Sequence, residues 1–357
     1  MYIKEYYCFM LYKDGTLKIV EMVIYLGNFL SKHGLTESLA ETFANQMLIN
    51  GIPIKCSSDK LNKISRIFDL CWIAIRSNKK DILLIDTFST SAFYFSLILG
   101  FIAKIKGVKY CPILRGGNLP IKLNSNRLAG LYFSNSYKII APSQYLFKPF
   151  HLKYKNVICI PNFIPINNYK FIHRKKIELN LLWVRSFDKI YNPFLVLELA
   201  EMLLAANFVF HITMVGPDKD GTMIDFKREL ENKQIESFFT LTGKLEKKQW
   251  IELSAKNSIF INSTNFDNHP VSIIEAMALG FPILSTNVGG VPYLIENNEN
   301  GLLFEKNDKE EFYNLVMKLF NNPELCSKLS LNARKTAEKL DWHEIKKMWE
   351  LEIGKFY

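Results

Sequence analysis

The stretch NFDNHPVSIIEAMALGFPILSTNVGG, residues 265–290, decides how this chain reads. Asp267 stands ahead of Pro270 and so belongs to a loop, because proline disfavours helix in the residue before it and is itself a good first helical residue. A helix is expected from Pro270-Val271, with Val271, Ile274 and Ala278 as its apolar face and Glu275 about one turn in, turned away from the sheet. FPILST then reads as a buried strand and Gly289-Gly290 as the turn after it. Two accounts of the acids are open. One makes Asp267 a loop cap and Glu275 a solvated helical residue; the other brings both carboxylates to the helix N-terminus to face a ligand. The glycine pair is equally open, as a plain turn or as backbone that carries N–H groups close to an anion. Arg185, at the end of LLWV, would supply the cation, since a guanidinium fork can hold two oxygens of one anion.

Around that stretch, strands and helices alternate. ELNLLWVRSF, FVFHITMVG, SFFTLTG, NSIFINS and FPILST read as strands, separated by helices over 193–206, 225–233, 247–255 and 271–279. The earlier part repeats the pattern: LKIVEMVIYL (17–26), IPIKC, DILLID, VKYCPILRGGNLP, YKIIAPS and NVICIPNFI as strands, with helices over 36–50, 60–77 and 89–106. Such units build a mostly parallel sheet covered on both faces. The expected fold is α/β, with two doubly wound domains: residues 1–165, a linker over 166–177, and residues 178–335. The amphipathic, aromatic segment 336–357 either closes the second domain or straps back onto the first. Two such domains facing each other would form a central cleft lined by strand carboxyl ends, where open parallel sheets bind ligands.

The 357 residues are 48% hydrophobic and 22% charged, which is globular composition with enough chain for two cores. A net charge of +10 points to an anionic partner such as a nucleotide, a polyphosphate or a phospholipid surface. The basic residues are scattered in pairs, for example Lys79-Lys80, Lys175-Lys176 and Lys247-Lys248, without a basic arm, so no nucleic-acid partner is expected. The cysteines at 8, 56, 71, 111, 159 and 326 form no CxxC pair and the histidines no HExxH, so the thiols read as reduced and no metal is expected. Lys4, Glu5, Lys13 and Asp14 interrupt the start of the chain, which offers no signal-peptide core, and the expected location is cytoplasmic. The apolar run 87–107 reads as a buried crossover helix, with membrane contact at one face of the protein left open.

The residues from Asn262 to Phe304 resemble the signature region of retaining nucleotide-sugar glycosyltransferases of family 4, which have the GT-B fold. The matching elements are Asp267 to Glu275, Glu275-Ala276-Met277-Ala278, Gly280, Pro282, Gly289-Gly290, Pro292 and Gly301-Leu302. Weaker echoes are YLGNFLSKHG, ILRGGNLP, IIAPSQYL, VICIPNFI and LLWVRSFDKIYNP. The resemblance implies a UDP- or GDP-sugar donor and a glycan or lipid-linked glycan acceptor, in cell-surface polysaccharide synthesis at the cytoplasmic face of the membrane. It implies that Glu275 binds the ribose of the donor, Asp267 the transferred sugar, and Arg185 the leaving diphosphate. Gly289, Gly290, Gly27 and Asn28 would line the diphosphate region. With Arg185 and helix N-termini to meet the leaving charge, no cofactor or metal is needed.

Three positions depart from the family pattern. Asp267 stands where the family usually has glutamate, which shortens the reach of the carboxylate by one methylene. The basic partner after the arginine is Lys189 in one alignment, but Tyr191 or Asn192 in others. Arg115 replaces a common histidine; with Asn118 it would bind the acceptor, or it would hold donor phosphate or a neighbouring acid. Neither GNFLSKHG nor RGGNLP fits a GxGxxG fingerprint, and GxxxxGK[ST] is missing, which sets aside dinucleotide dehydrogenases and P-loop kinases. The alternatives are another GT-B enzyme, a sugar phosphorylase or nucleotide-sugar epimerase, and a non-catalytic nucleotide-sugar-binding protein.

Overall fold

The structure, a computed structural model, describes residues 22–125 and 127–354. Residues 17–21 of the first expected strand, and the start of the chain with Cys8, lie outside the described residues. Contacts divide the chain into two compact units: the described residues up to Ile160 with those from Lys347 onward, and Pro161–Lys346.

The first unit runs β1 (Val23–Leu26), α1 (Leu39–Ile49), β2 (Ile54–Ser57), α2 (Lys63–Arg76), β3 (Ile82–Thr87), α3 (Phe93–Lys106), β4 (Lys109–Leu114), α4 (Leu119–Ser125), α5 (Arg127–Ser134), β5 (Ile139–Ala141), α6 (Gln144–His151) and β6 (Val157–Cys159). All strand pairs are parallel, in the order β2, β1, β3, β4, β5, β6. The start of α1 is set by a capping box, in which Ser38 Oγ accepts from Glu41 N and Glu41 Oε2 from Ser38 N. Alternate strand residues serve opposite faces of the sheet. Ile24, Leu26, Leu83 and Ile85 pack with Leu70 and Ala74 of α2, Phe93 and Leu99 of α3, and Phe133 of α5. Tyr25 points the other way, onto Phe43 of α1 at 5.5 Å, and Phe43 meets Trp349 at 4.6 Å. The run 87–107 does contain the crossover helix α3, but burial covers one side only: Tyr94, Ile98, Phe101 and Ile105 are exposed.

The second unit runs β7 (Asn180–Val184), α7 (Phe194–Ala205), β8 (His211–Val215), α8 (Thr222–Lys233), β9 (Phe239–Gly243), α9 (Lys247–Ser254), β10 (Ile259–Asn262), α10 (Val271–Ala278), β11 (Ile283–Thr286), β12 (Leu302–Phe304), α11 (Lys309–Phe320) and α12 (Pro323–Lys339). The last helix, α13 (Trp342–Gly354), begins in this unit and ends in the first. The parallel order is β12, β11, β10, β7, β8, β9. Leu181, Trp183, Ile259 and Ile261 look into one core with α7, α8 and α11, while Leu182, Phe260 and Ile283 look into another with α10 and Trp250. A strand buried on both faces is apolar along most of its length, and β10, IFIN, is so up to its last residue, Asn262. Among the described residues the protein therefore has two six-stranded parallel sheets flanked by helices, the expected GT-B pair of Rossmann-like units.

Residues 166–177, expected as a linker, are packed into the second unit. Ile166, Tyr169, Arg174 and Ile177 are buried, and Arg174 lies 3.4 Å over the Phe281 ring while its Nη1 donates to Leu279 O at 2.7 Å. Gly280, the glycine of EAMALG, gives this segment its room. It has φ +80°, and a Cβ there would stand 2.4 Å from Ile172 O. Gly280→Ala should therefore lower unfolding stability by roughly 1–3 kcal/mol, read as a shifted urea midpoint at constant slope.

Candidate functional site

Three neighbouring strands of the second sheet end beside one another, and their following loops carry the residues singled out above. Arg185 follows β7, Asp267 lies in the loop after β10, and Gly289-Gly290 follows β11. Arg185 and Asp267 are brought together, with Nη2 and Oδ2 2.7 Å apart and both side chains largely buried. Asn262, at the end of β10, aims the guanidinium: its Oδ1 accepts from Arg185 Nε at 3.1 Å, and its Nδ2 donates to Ser285 Oγ at 2.8 Å. Tyr191 lies under the guanidinium, 5.1 Å from ring centre to Cζ. Of the alternatives to Lys189 as the second group, Tyr191 is thus the one against Arg185, whereas Lys189 is exposed and Asn192 bonds Asn307 Oδ1.

The loops after β7 and β10 are clasped by hydrogen bonds onto main-chain carbonyls. Asn265 N donates to Ile190 O at 2.7 Å and Ser263 Oγ to Tyr191 O at 2.9 Å. Gly290 N donates to Asp267 O at 2.9 Å, so this amide is already engaged within the protein. A Cβ on Gly289 would stand 2.2 Å from Asp267 O and one on Gly290 1.6 Å from Asn268 O, so the pair lets two stretches of backbone touch. Gly216 does the same beneath the arginine, where a Cβ would fall 1.7 Å from Arg185 O.

Glu275 is neither solvated nor at the helix surface. Residues 273–278 of α10 are all buried, and Glu275 is 5% exposed. Its Oε1 accepts from Tyr169 Oη at 2.7 Å and faces Lys247 Nζ at 3.0 Å. A buried carboxylate needs such partners. Tyr169 comes from the segment read as linker and Lys247 from the start of α9, and sequence reasoning gave neither a role. The Lys247-Lys248 pair at a helix start was the available signal.

This loop region is also polar without being satisfied. Asn265 Oδ1, His269 Nδ1 and Ser272 Oγ are buried and lack hydrogen-bond partners. Orphaned buried polar atoms are rare in folded proteins and mark places where something else completes the bonding. Among the described residues no group of three or more His, Cys, Asp and Glu is arranged to hold a metal ion.

In the first unit, Gly27, Asn28, Arg115 and Asn118 lie just beyond the carboxyl ends of β1 and β4. Gly27 N donates to Ser57 O at 2.8 Å and Asn28 Oδ1 accepts from Arg66 Nη1 at 2.8 Å. Arg115 meets a neighbouring acid: Nε donates to Asp86 Oδ1 at 2.9 Å and Nη2 to the buried Tyr25 hydroxyl at 2.9 Å. Burial opposes its charge, but Tyr25 and Asp86 outweigh that and raise its pKa. Asn118 is exposed ahead of α4.

Residues 166–336 match the family described as Glycosyl transferases group 1. An uncharacterized glycosyltransferase of Methanocaldococcus jannaschii is 25% identical over 240 residues, 63% of this chain and 64% of that protein. One from Haemophilus influenzae is 37% identical over 95 residues, 26% of this chain and 27% of its own length. The chain thus spans less than two thirds of these curated relatives. Among solved structures, the sucrose-phosphate synthase of Thermosynechococcus elongatus superimposes with a TM-score of 0.75 at 12% identity, covering 94% of this chain and 99% of that one. Anabaena HepE in complex with UDP gives 0.71 at 14% identity, covering 94% and 100%. The fold is shared with both.

His269 offers a test of this geometry. Burial pulls its pKa down from 6.5 to about 4, so the unfolded chain binds a proton between those values that the folded chain refuses, and stability falls as pH drops through that window. His269→Phe should remove up to about 3 kcal/mol of that loss, seen as a flatter plot of urea midpoint against pH from 6.5 to 4.

Proposed function

We propose that this chain is a retaining glycosyltransferase that moves a sugar from a UDP- or GDP-sugar to a glycan or lipid-linked glycan in cell-surface polysaccharide synthesis. The observation that carries this reading is the Arg185–Asp267 pair at adjacent strand ends, among buried polar atoms that still lack partners. The guanidinium would hold the donor diphosphate, and Asp267, held beside it, would accept from hydroxyls of the sugar. Glu275, whose Oε1 is occupied, would accept from the ribose through Oε2. Gly289 and Gly290 would set the distance between the acid and the diphosphate by holding the loop against β11. Asn118, exposed in the first unit, is the side chain there that would meet the acceptor.

In the transfer, the C1–O bond to the diphosphate breaks and its electron pair leaves with the diphosphate. The acceptor oxygen bonds to C1 with configuration kept, and its proton passes to the diphosphate. The leaving group is a stabilised anion, so Arg185 contributes by meeting charge as it develops. Incubation of the full chain with labelled UDP- and GDP-sugars and lipid-linked acceptors should give a glycoside of unchanged anomeric configuration by NMR. Binding of donor without turnover would make it a binding protein.

Glu275→Gln should weaken donor binding roughly ten- to hundredfold, the value of a hydrogen bond to a charged group, with thermal unfolding measured alongside to confirm folding. Donor affinity equal to that of the unaltered protein would leave Glu275 with its bonds to Tyr169 and Lys247 only. Transfer should also survive EDTA. Activity lost on chelation and restored by Mg²⁺ would assign the leaving charge to a cation instead of Arg185.

A further inference from the structure

The first unit carries an apolar surface that the transfer reading does not use. Its α2, α3 and α5 cover one face of the sheet, with α2 packed on α3 and α3 on α5, and Lys106 Nζ of α3 bonded to Ile75 O of α2. The sides of these helices away from the sheet are apolar too. On α2, Ile64, Phe68 and Trp72 stand at helical spacing and Phe68 is 70% exposed; Phe101 of α3 is 65% exposed and Leu131 of α5 60%. In the second unit, by contrast, exposed large apolar residues such as Val209, Ile224 and Tyr293 are scattered singly, as on ordinary surfaces. A contiguous patch marks a contact surface.

Charge identifies what fits it. No Asp or Glu occurs between Asp86 and Glu178. Asp69, the acid within α2, is half-buried and accepts from Ser57 Oγ at 3.1 Å. Around the patch stand exposed Lys63, Arg76, Lys79, Lys104 and Arg127, and the Arg76 guanidinium lies 4.2 Å over the Trp72 ring. A second copy of this face would bring lysines against lysines. An anionic bilayer would take the aromatic and aliphatic side chains at its acyl boundary and the cations among its phosphates. Among the described residues no helix is long and apolar enough to cross a membrane, so the contact is with the surface.

We propose that the outer face of α2, α3 and α5 docks this protein on an anionic phospholipid bilayer. The inference goes beyond sugar transfer and does not depend on it. Trp72 is its built-in reporter, being 54% exposed while Trp183, Trp250, Trp342 and Trp349 are buried.

The full chain is mixed with phosphatidylcholine vesicles with and without phosphatidylglycerol, with no sugar nucleotide present. Cosedimentation and a blue shift of tryptophan emission are expected with the anionic vesicles, both weakened by salt. The double variant Phe68→Ser with Phe101→Ser should bind at least about tenfold more weakly, and Lys79→Gln and Lys104→Gln about fivefold each, with urea midpoints near that of the parent. Glu275→Gln should bind vesicles as the parent does, which separates docking from the donor site. Neither sedimentation nor a Trp72 shift with anionic vesicles overturns the proposal. So does a dimer that dissociates in the Phe68/Phe101 variant while vesicles are ignored, since the face would then be covered by a second copy.

Discussion

A hydrogen bond between two main chains, from Gly290 N to Asp267 O, holds the candidate site together. It forms because residues 289 and 290 lack a Cβ, and the loop after β10 can therefore lie directly on the turn after β11. Asp267 is fixed next to Arg185 as a result, and Asn262 and Tyr191 fix the arginine from the other side. The parallel sheet leaves little choice about where this happens. Its strands are buried on both faces, so polar chemistry is confined to the loops at their ends.

Most strands were legible because a fully buried parallel strand is built on a short apolar run, as residues 259–261 and 283–284 are, before the polar residues at its carboxyl end. β12, three residues long, closes the signature region, and the helices α11 and α12 that follow it carry less contrast; α12 has only a few buried positions, such as Cys326, Leu329 and Ala333, among charged ones. The surroundings of Glu275 were not legible. Periodicity turned it away from the sheet and left solvent and a ligand both open, but α10 is wrapped on nearly all sides, and the groups that bond the carboxylate come from residues 169 and 247. Contacts between residues so far apart in sequence leave no local trace. The same holds for Arg115, whose partners Tyr25 and Asp86 sit on two other strands.

The two units use the same architecture for different ends. In the second, helices such as α10 are covered and the unsatisfied groups are polar atoms at strand termini. In the first, the polar groups at strand termini are largely paired with one another, and the surface left without partners is the apolar outer side of its helices. A reading of the apolar run 87–107 as simply buried misses this, because α3 has two hydrophobic sides and only one meets the sheet.

The glycine beneath the arginine has a further consequence. Gly216 and Gly290 press the backbones of Arg185 and Asn268 against neighbouring strand ends, so neither main chain retains much freedom once the unit has folded. The conformational entropy of placing this acid and base is lost during folding instead of on ligand capture. A ligand of the proposed kind would meet a rigid frame there, and selectivity would then rest on side-chain reach, down to the single methylene by which an aspartate differs from a glutamate.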